Sequence, residues 1–150
     1  MKKKIFIILI STSLFLVFRC NLKNINNINN TEINRSKEVI KSMKAIINGK
    51  EYPIDLEDNE TANTFVSILP QKFDMNELNG NEKYVYLNNA LPTSSYGPKR
   101  IETGDVMLYD NDCLVIFYKS FQTSYSYTKI GHINNLPDLG NNNISVIIEK

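Results

Sequence analysis

Followed as a string of apolar and polar positions, the chain divides into three stretches. Residues 5–18 are apolar apart from Ser11, Thr12 and Ser13, Asn21–Asn34 is polar with isolated Ile25, Ile28 and Ile33, and short alternating runs begin at Met43. On either side of Asn48-Gly49 the residues from Met43 to Glu57 alternate, with Ile54 and Leu56 facing one way and Asp55 and Glu57 the other. Asn-Gly supplies the positive φ angles of a tight turn, so this stretch predicts a β-hairpin. Ala62, Phe65, Val66 and Leu69 then recur at helical spacing behind Asp58 or Asn59 as cap, and Pro70 ends the run. Strands are predicted over Lys83–Leu87, Val106–Tyr109, Cys113–Lys119, Tyr127–Ile133 and Ile144–Ile148, with a loop from Leu91 to Arg100. Many short strands with closely spaced turn signals predict a mainly β fold: a small closed or nearly closed barrel with one or two short helices.

The first stretch reads as an address. Lys2, Lys3 and Lys4 precede a 14-residue apolar run, and Cys20 follows it. A membrane-spanning helix needs roughly 18 apolar residues, so residues 1–20 are read as an export leader. The arrangement resembles the signals of bacterial lipoproteins, which implies lipidation of Cys20 and a protein exported to the bacterial cell envelope and anchored in its membrane. Phe18-Arg19 departs from the small residue such signals carry before the cysteine, and an uncleaved amino-terminal anchor is the alternative. Residues 21–42 follow as an asparagine-rich tether, with seven asparagines in the fourteen residues from Asn21 to Asn34. The folded domain is placed at 43–150.

Composition narrows the chemistry. Without the leader, 13 basic side chains face 16 acidic ones, leaving about −3 of charge and no electrostatic reason to bind nucleic acid. One histidine and two cysteines exclude a His/Cys metal site. Asp110-Asn111-Asp112 is a hairpin turn and not a calcium loop, because Leu114 and Phe121 stand where oxygen ligands are needed. The acids Asp55, Glu57, Asp58 and Glu60 are explained by strand alternation and helix capping. Cys113 opens an apolar run and reads as a core thiol. No Gly-x-Ser-x-Gly elbow accompanies His132, and the glycine loops that cradle phosphates are missing, so no cofactor is expected.

The densest constellation runs from Phe117 to Thr128. Five of the twelve aromatic residues beyond position 20 fall between Phe117 and Tyr127, interleaved with hydroxyls. Rings supply contact area at low entropic cost, and Ser, Thr and Gln supply hydrogen bonds. Phe121, Tyr125 and Tyr127, with Tyr84 and Tyr86 from the Lys83–Leu87 strand, are therefore candidate contacts for a peptide segment or small molecule. Gln122, Thr123 and Ser124 are the candidate polar anchors. Asn79-Gly80-Asn81-Glu82 reads as a turn whose amides also reach toward a ligand.

The stretches Asn79–Tyr84, Gly104–Tyr109 and Phe117–Gly131 resemble a family of small bacterial cyclophilin-like proteins, found alone or appended to flavodoxin domains. The resemblance covers Met43 to Lys150 and implies a cyclophilin-like closed β-barrel. It also raises peptidyl-prolyl cis-trans isomerisation as an activity. That chemistry needs an apolar proline pocket and a cationic donor that favours the twisted amide over the planar one. The Phe-His-Arg setting of true cyclophilins is missing here. Arg100, Phe121 and Gln122 are the residues left to serve such a reaction.

Overall fold

The structure, a computed structural model, describes residues 43–150. The leader, the tether and Cys20 lie outside the described residues. The alternating flanks of Asn48-Gly49 form β1 (Met43–Ile47) and β2 (Lys50–Leu56). Both turn residues are left-handed, with φ of 52° and 77°, as a type I′ hairpin requires. Met43, Ala45 and Ile47 point inward beside Tyr52 and Ile54, and all five are buried.

Helix α1 (Glu60–Ser67) follows. Asn59 caps it by accepting the Ala62 amide at 2.8 Å, and its own side-chain nitrogen donates to the Lys129 carbonyl at 2.9 Å. One residue thus starts the helix and ties it to the barrel. Ala62, Phe65 and Leu69 are buried, and Phe65 stacks on Phe73 with centroids 6.1 Å apart.

The remaining strands are β3 (Gln71–Leu78), β4 (Glu82–Tyr86), β5 (Arg100–Ile101), β6 (Asp105–Tyr109), β7 (Cys113–Phe117), β8 (Phe121–Gln122), β9 (Thr128–Ile133) and β10 (Ile144–Glu149). Eight of the ten close into an antiparallel barrel in the order β1-β10-β3-β4-β7-β6-β9-β2, while β5 and β8 make a separate ribbon. This is the mainly β closed barrel that the turn spacing predicts, with a single short helix among the described residues. Closure leaves no barrel strand with an open edge. Where β9 meets β2, Gly131 faces Leu56, and a Cβ there would lie 2.6 Å from the Asp55 carbonyl oxygen. Among the described residues, no helix is long and apolar enough to cross a membrane.

Two apolar clusters occupy opposite sides of the barrel wall. The larger fills the interior and includes Val106, Leu108, Leu114, Ile116, Ile130, Val146 and Ile148. Each such side chain contributes about 1.5–3 kcal/mol relative to exposure. The smaller comprises Ile101, Met107, Cys113, Val115, Phe117 and Tyr127, with Tyr84 and Phe121 packed against it. It sits outside the wall, under the segments around β5 and β8. Strand β7 is consequently buried on both faces, which explains its unbroken apolar sequence. Lys83 also lies on the interior side, fully buried, and donates to the carbonyls of Gly140 at 2.6 Å and Asn142 at 2.8 Å.

Candidate functional site

Strand register on the outer wall creates a cleft. On central strand β7, Cys113 stands opposite Tyr86 of β4 and Tyr109 of β6, and Val115 stands opposite Tyr84 and Met107. Two small side chains between larger ones leave a hollow whose floor is Cys113 and Val115. The chain beyond β8 then returns across the wall. Tyr127 exchanges backbone hydrogen bonds with Tyr96 at 2.9 and 3.0 Å, which positions Tyr125 and Tyr127 at the cleft. The cavity measures about 310 Å³, with Leu78, Asn79 and Glu82 completing its lining. That volume is at the small end of ligand pockets.

The rings of the cleft touch one another. Tyr109 packs edge-on to Tyr125 at 6.0 Å and tilted against Tyr127 at 5.7 Å, and Tyr84 meets Tyr86 edge-on at 6.0 Å. Tyr86 and Tyr125 remain 66% and 61% exposed, an unusual amount of aromatic surface left open to solvent. Burial pushes the Cys113 thiol up to about 11, so it is a neutral floor atom near pH 7 and a poor nucleophile. Burial, with a smaller contribution from Glu77, likewise raises the Glu82 carboxyl above its usual range. A second cavity of about 310 Å³ lies on the other side of Tyr86, lined by Ile68, Phe73, Val85 and Leu87 among others. Its charged residues Lys72 and Asp74 pair with each other at 3.2 Å.

Of the residues singled out by sequence, Tyr84, Tyr86, Tyr125 and Tyr127 line the cleft together. Phe121 does not line it: its ring packs on Phe117 at 5.6 Å beneath the ribbon. Gln122 pairs in register with Arg100 across β5 and β8, and Arg100 Nε donates to Glu102 at 2.7 Å. Thr123 Oγ1 accepts the Tyr125 amide at 3.1 Å and shapes the local turn, and Ser124 is exposed outside the cleft. Tyr109, Cys113 and Val115 join the site although their sequence does not place them there, and the Asn79–Glu82 turn contributes the side chains of Asn79 and Glu82. Alternation on β4 carries the signal for Glu82, since it falls on the same face as Tyr84 and Tyr86. Tyr109, Cys113 and Val115 converge only through pairing of β7 with β4 and β6.

A separate polar cluster lies along β9. Asp105, 4% exposed, accepts from Lys129 Nζ at 3.3 Å, from the Glu102 amide at 3.0 Å and from His132 Nδ1 at 3.2 Å. Among the described residues His132 makes no hydrogen bond to a serine, threonine or cysteine, so the geometry offers no Ser-His-Asp relay. Nor do the described residues gather three or more His, Cys, Asp or Glu side chains placed to hold a metal ion.

The fold and its outer cleft thus define a small closed barrel with a tyrosine-lined hollow on its outer wall. Residues 45–149 match the model of the Cyclophilin-like family, and the chain belongs to that family. Among solved structures it is similar to the hypothetical protein AF2241 from Archaeoglobus fulgidus, with 19% identity, 73% of this chain and 95% of that one covered, and a TM-score of 0.47. It is also similar to McbB, solved in complex with tryptophan, with 13% identity over 73% of this chain and a TM-score of 0.52. The match spans 44% of McbB, and at that identity the likeness is one of fold. No curated protein matches the chain.

Proposed function

We propose that this protein is an exported, membrane-tethered binding module whose outer-wall cleft holds a peptide segment or a small ligand. A lipidated Cys20 or an uncleaved amino-terminal anchor would supply the attachment. The observation that carries the binding role is the cleft itself: tyrosines stand around a floor of small side chains, and several stay solvent-exposed at a cost that the fold alone does not demand. The test is a nuclear magnetic resonance screen of the full chain against capped peptides and small polar compounds. Ligands should shift resonances of Tyr84, Tyr86, Tyr109 and Tyr125. Tyr86→Ala should weaken binding by about tenfold or more, while its melting temperature stays within roughly 2 °C because the ring is largely exposed. Shifts confined to another surface, or none from any compound, would overturn the reading.

Prolyl isomerisation is the alternative. In its favour, Arg100 and Gln122 are register partners on the ribbon, with Phe121 beside them. Against it, the Arg100 guanidinium is already engaged by Glu102 and the Phe121 ring is spent on Phe117. A proline-peptide isomerisation assay decides: a large acceleration lost in Arg100→Ala would make the protein an enzyme.

A further inference from the structure

We infer that the tyrosine cleft takes a small organic cation, an alkylammonium or quaternary ammonium ion, held between the rings and the carboxylate of Glu82. This rests on the cleft being the binding site, as proposed above, and adds the charge and chemical class of its occupant.

The buried carboxylates of the domain are unequally paired. Two carboxylates among the described residues are buried, Asp105 and Glu82. Asp105 is met by Lys129, His132 and a backbone amide. Glu82, 9% exposed, has neither an ion pair nor a close donor: its hydrogen bond is a long one of 3.4 Å from Asn79 Nδ2. The neighbouring ammonium does not help, because Lys83 points through the wall into the interior and is held by Gly140 and Asn142. A buried carboxylate without a cation is costly, and this fold pairs its other one.

The lining continues the pattern. Glu82 is the one charged residue on the cleft, and no lysine or arginine lines it. Five tyrosines do, and the faces of aromatic rings attract cations, most strongly where water is excluded. The lysines that lie over rings elsewhere among the described residues use Tyr52 and Tyr118, leaving the cleft tyrosines free of such contacts. The Cys113 thiol is neutral near pH 7, so the negative character of the site comes from Glu82 and the ring faces. An anion meets repulsion from both. A neutral ligand leaves the carboxylate unpaired. A compact cation satisfies both, and a cavity of about 310 Å³ has room for one of choline size.

The experiment compares choline with 3,3-dimethyl-1-butanol, its uncharged isostere, by calorimetry on the full chain. Tyrosine fluorescence gives a second readout, since the chain has no tryptophan and five of its eight tyrosines line the cleft. Choline should bind at least about tenfold more tightly than the isostere. Glu82→Gln, which keeps the side chain's shape, should remove most of that difference by weakening choline. Equal binding of the two probes, or choline affinity unmoved by Glu82→Gln, overturns the cation assignment and leaves the cleft standing as a binding site. If neither probe binds, the assignment also falls, and the broader compound screen then decides whether the cleft binds anything. Capture by phosphatidylcholine vesicles without binding of free choline would move the ligand into a lipid and overturn a soluble one.

Discussion

Leu114 and Cys113 are adjacent on one strand and face opposite sides of the same wall. The interior side is dense with aliphatic residues interlocking around Leu114 and Ile116. The outer side mixes rings with small side chains, leaves a hollow above Cys113 and Val115, and keeps tyrosines in water. Interior positions therefore answer for whether the barrel forms. Outer positions pack less well than they might and leave the cleft that is proposed to hold a ligand. Dense packing and open cleft are thus divided by residue parity along a strand, with β7 contributing to both.

The division is broken most severely from within. Leu114→Ala should cost about 2–5 kcal/mol in chemical denaturation, because a fully buried leucine leaves a cavity that its neighbours fill only in part. The folded fraction should retain its ligand affinity. Cys113→Leu tests the other face: the added volume enters the cleft floor, so choline binding should fall by about tenfold or more. Denaturation should shift by less than about 1 kcal/mol, since open space is available to receive the extra methylenes. A loss of stability as large as that of Leu114→Ala would erase the distinction.

Glu82 sharpens it further. Its folded-state pKa is raised, so the carboxyl favours folding below its unfolded pKa and that contribution is lost as pH rises through the folded value. Glu82→Gln should therefore raise the melting temperature by a few degrees at neutral pH, with the gap closing as pH falls below the ordinary carboxylate range. The smallest change leaves the sequence alone. With the thiol near 11, roughly one Cys113 in a thousand is ionised at pH 8, so site-resolved alkylation of the native protein should be slow and accelerate on adding denaturant.

Much of this barrel is written in local pattern. Asn48-Gly49 announces its hairpin, Ala62, Phe65 and Leu69 announce the helix, and the apolar runs at Val106 and Cys113 announce strands. Strand β3 is nearly silent. Only Phe73 and Met75 turn fully inward, and Asp74 and Asn76 between them are poor strand formers that the sheet overrides through pairing with β4 and β10. The two-residue strands β5 and β8 carry no periodicity to detect. For the site, the crowding of tyrosines was legible, whereas the floor was not. Cys113 and Val115 look like ordinary core residues until register sets them between Tyr86, Tyr84 and Tyr109. Thr123 and Ser124 show the converse: hydroxyls near rings in sequence that serve a turn and the solvent instead of the cleft.

The circular strand order has a geometric consequence. Going round β1-β10-β3-β4-β7-β6-β9-β2, β7 is four places from β1 in either direction. Met43, the first described residue, thus opens a strand diametrically across the barrel from the one that floors the tyrosine hollow. A label on the outward-facing Lys44 of β1 therefore sits on the back of the barrel and leaves the hollow unobstructed.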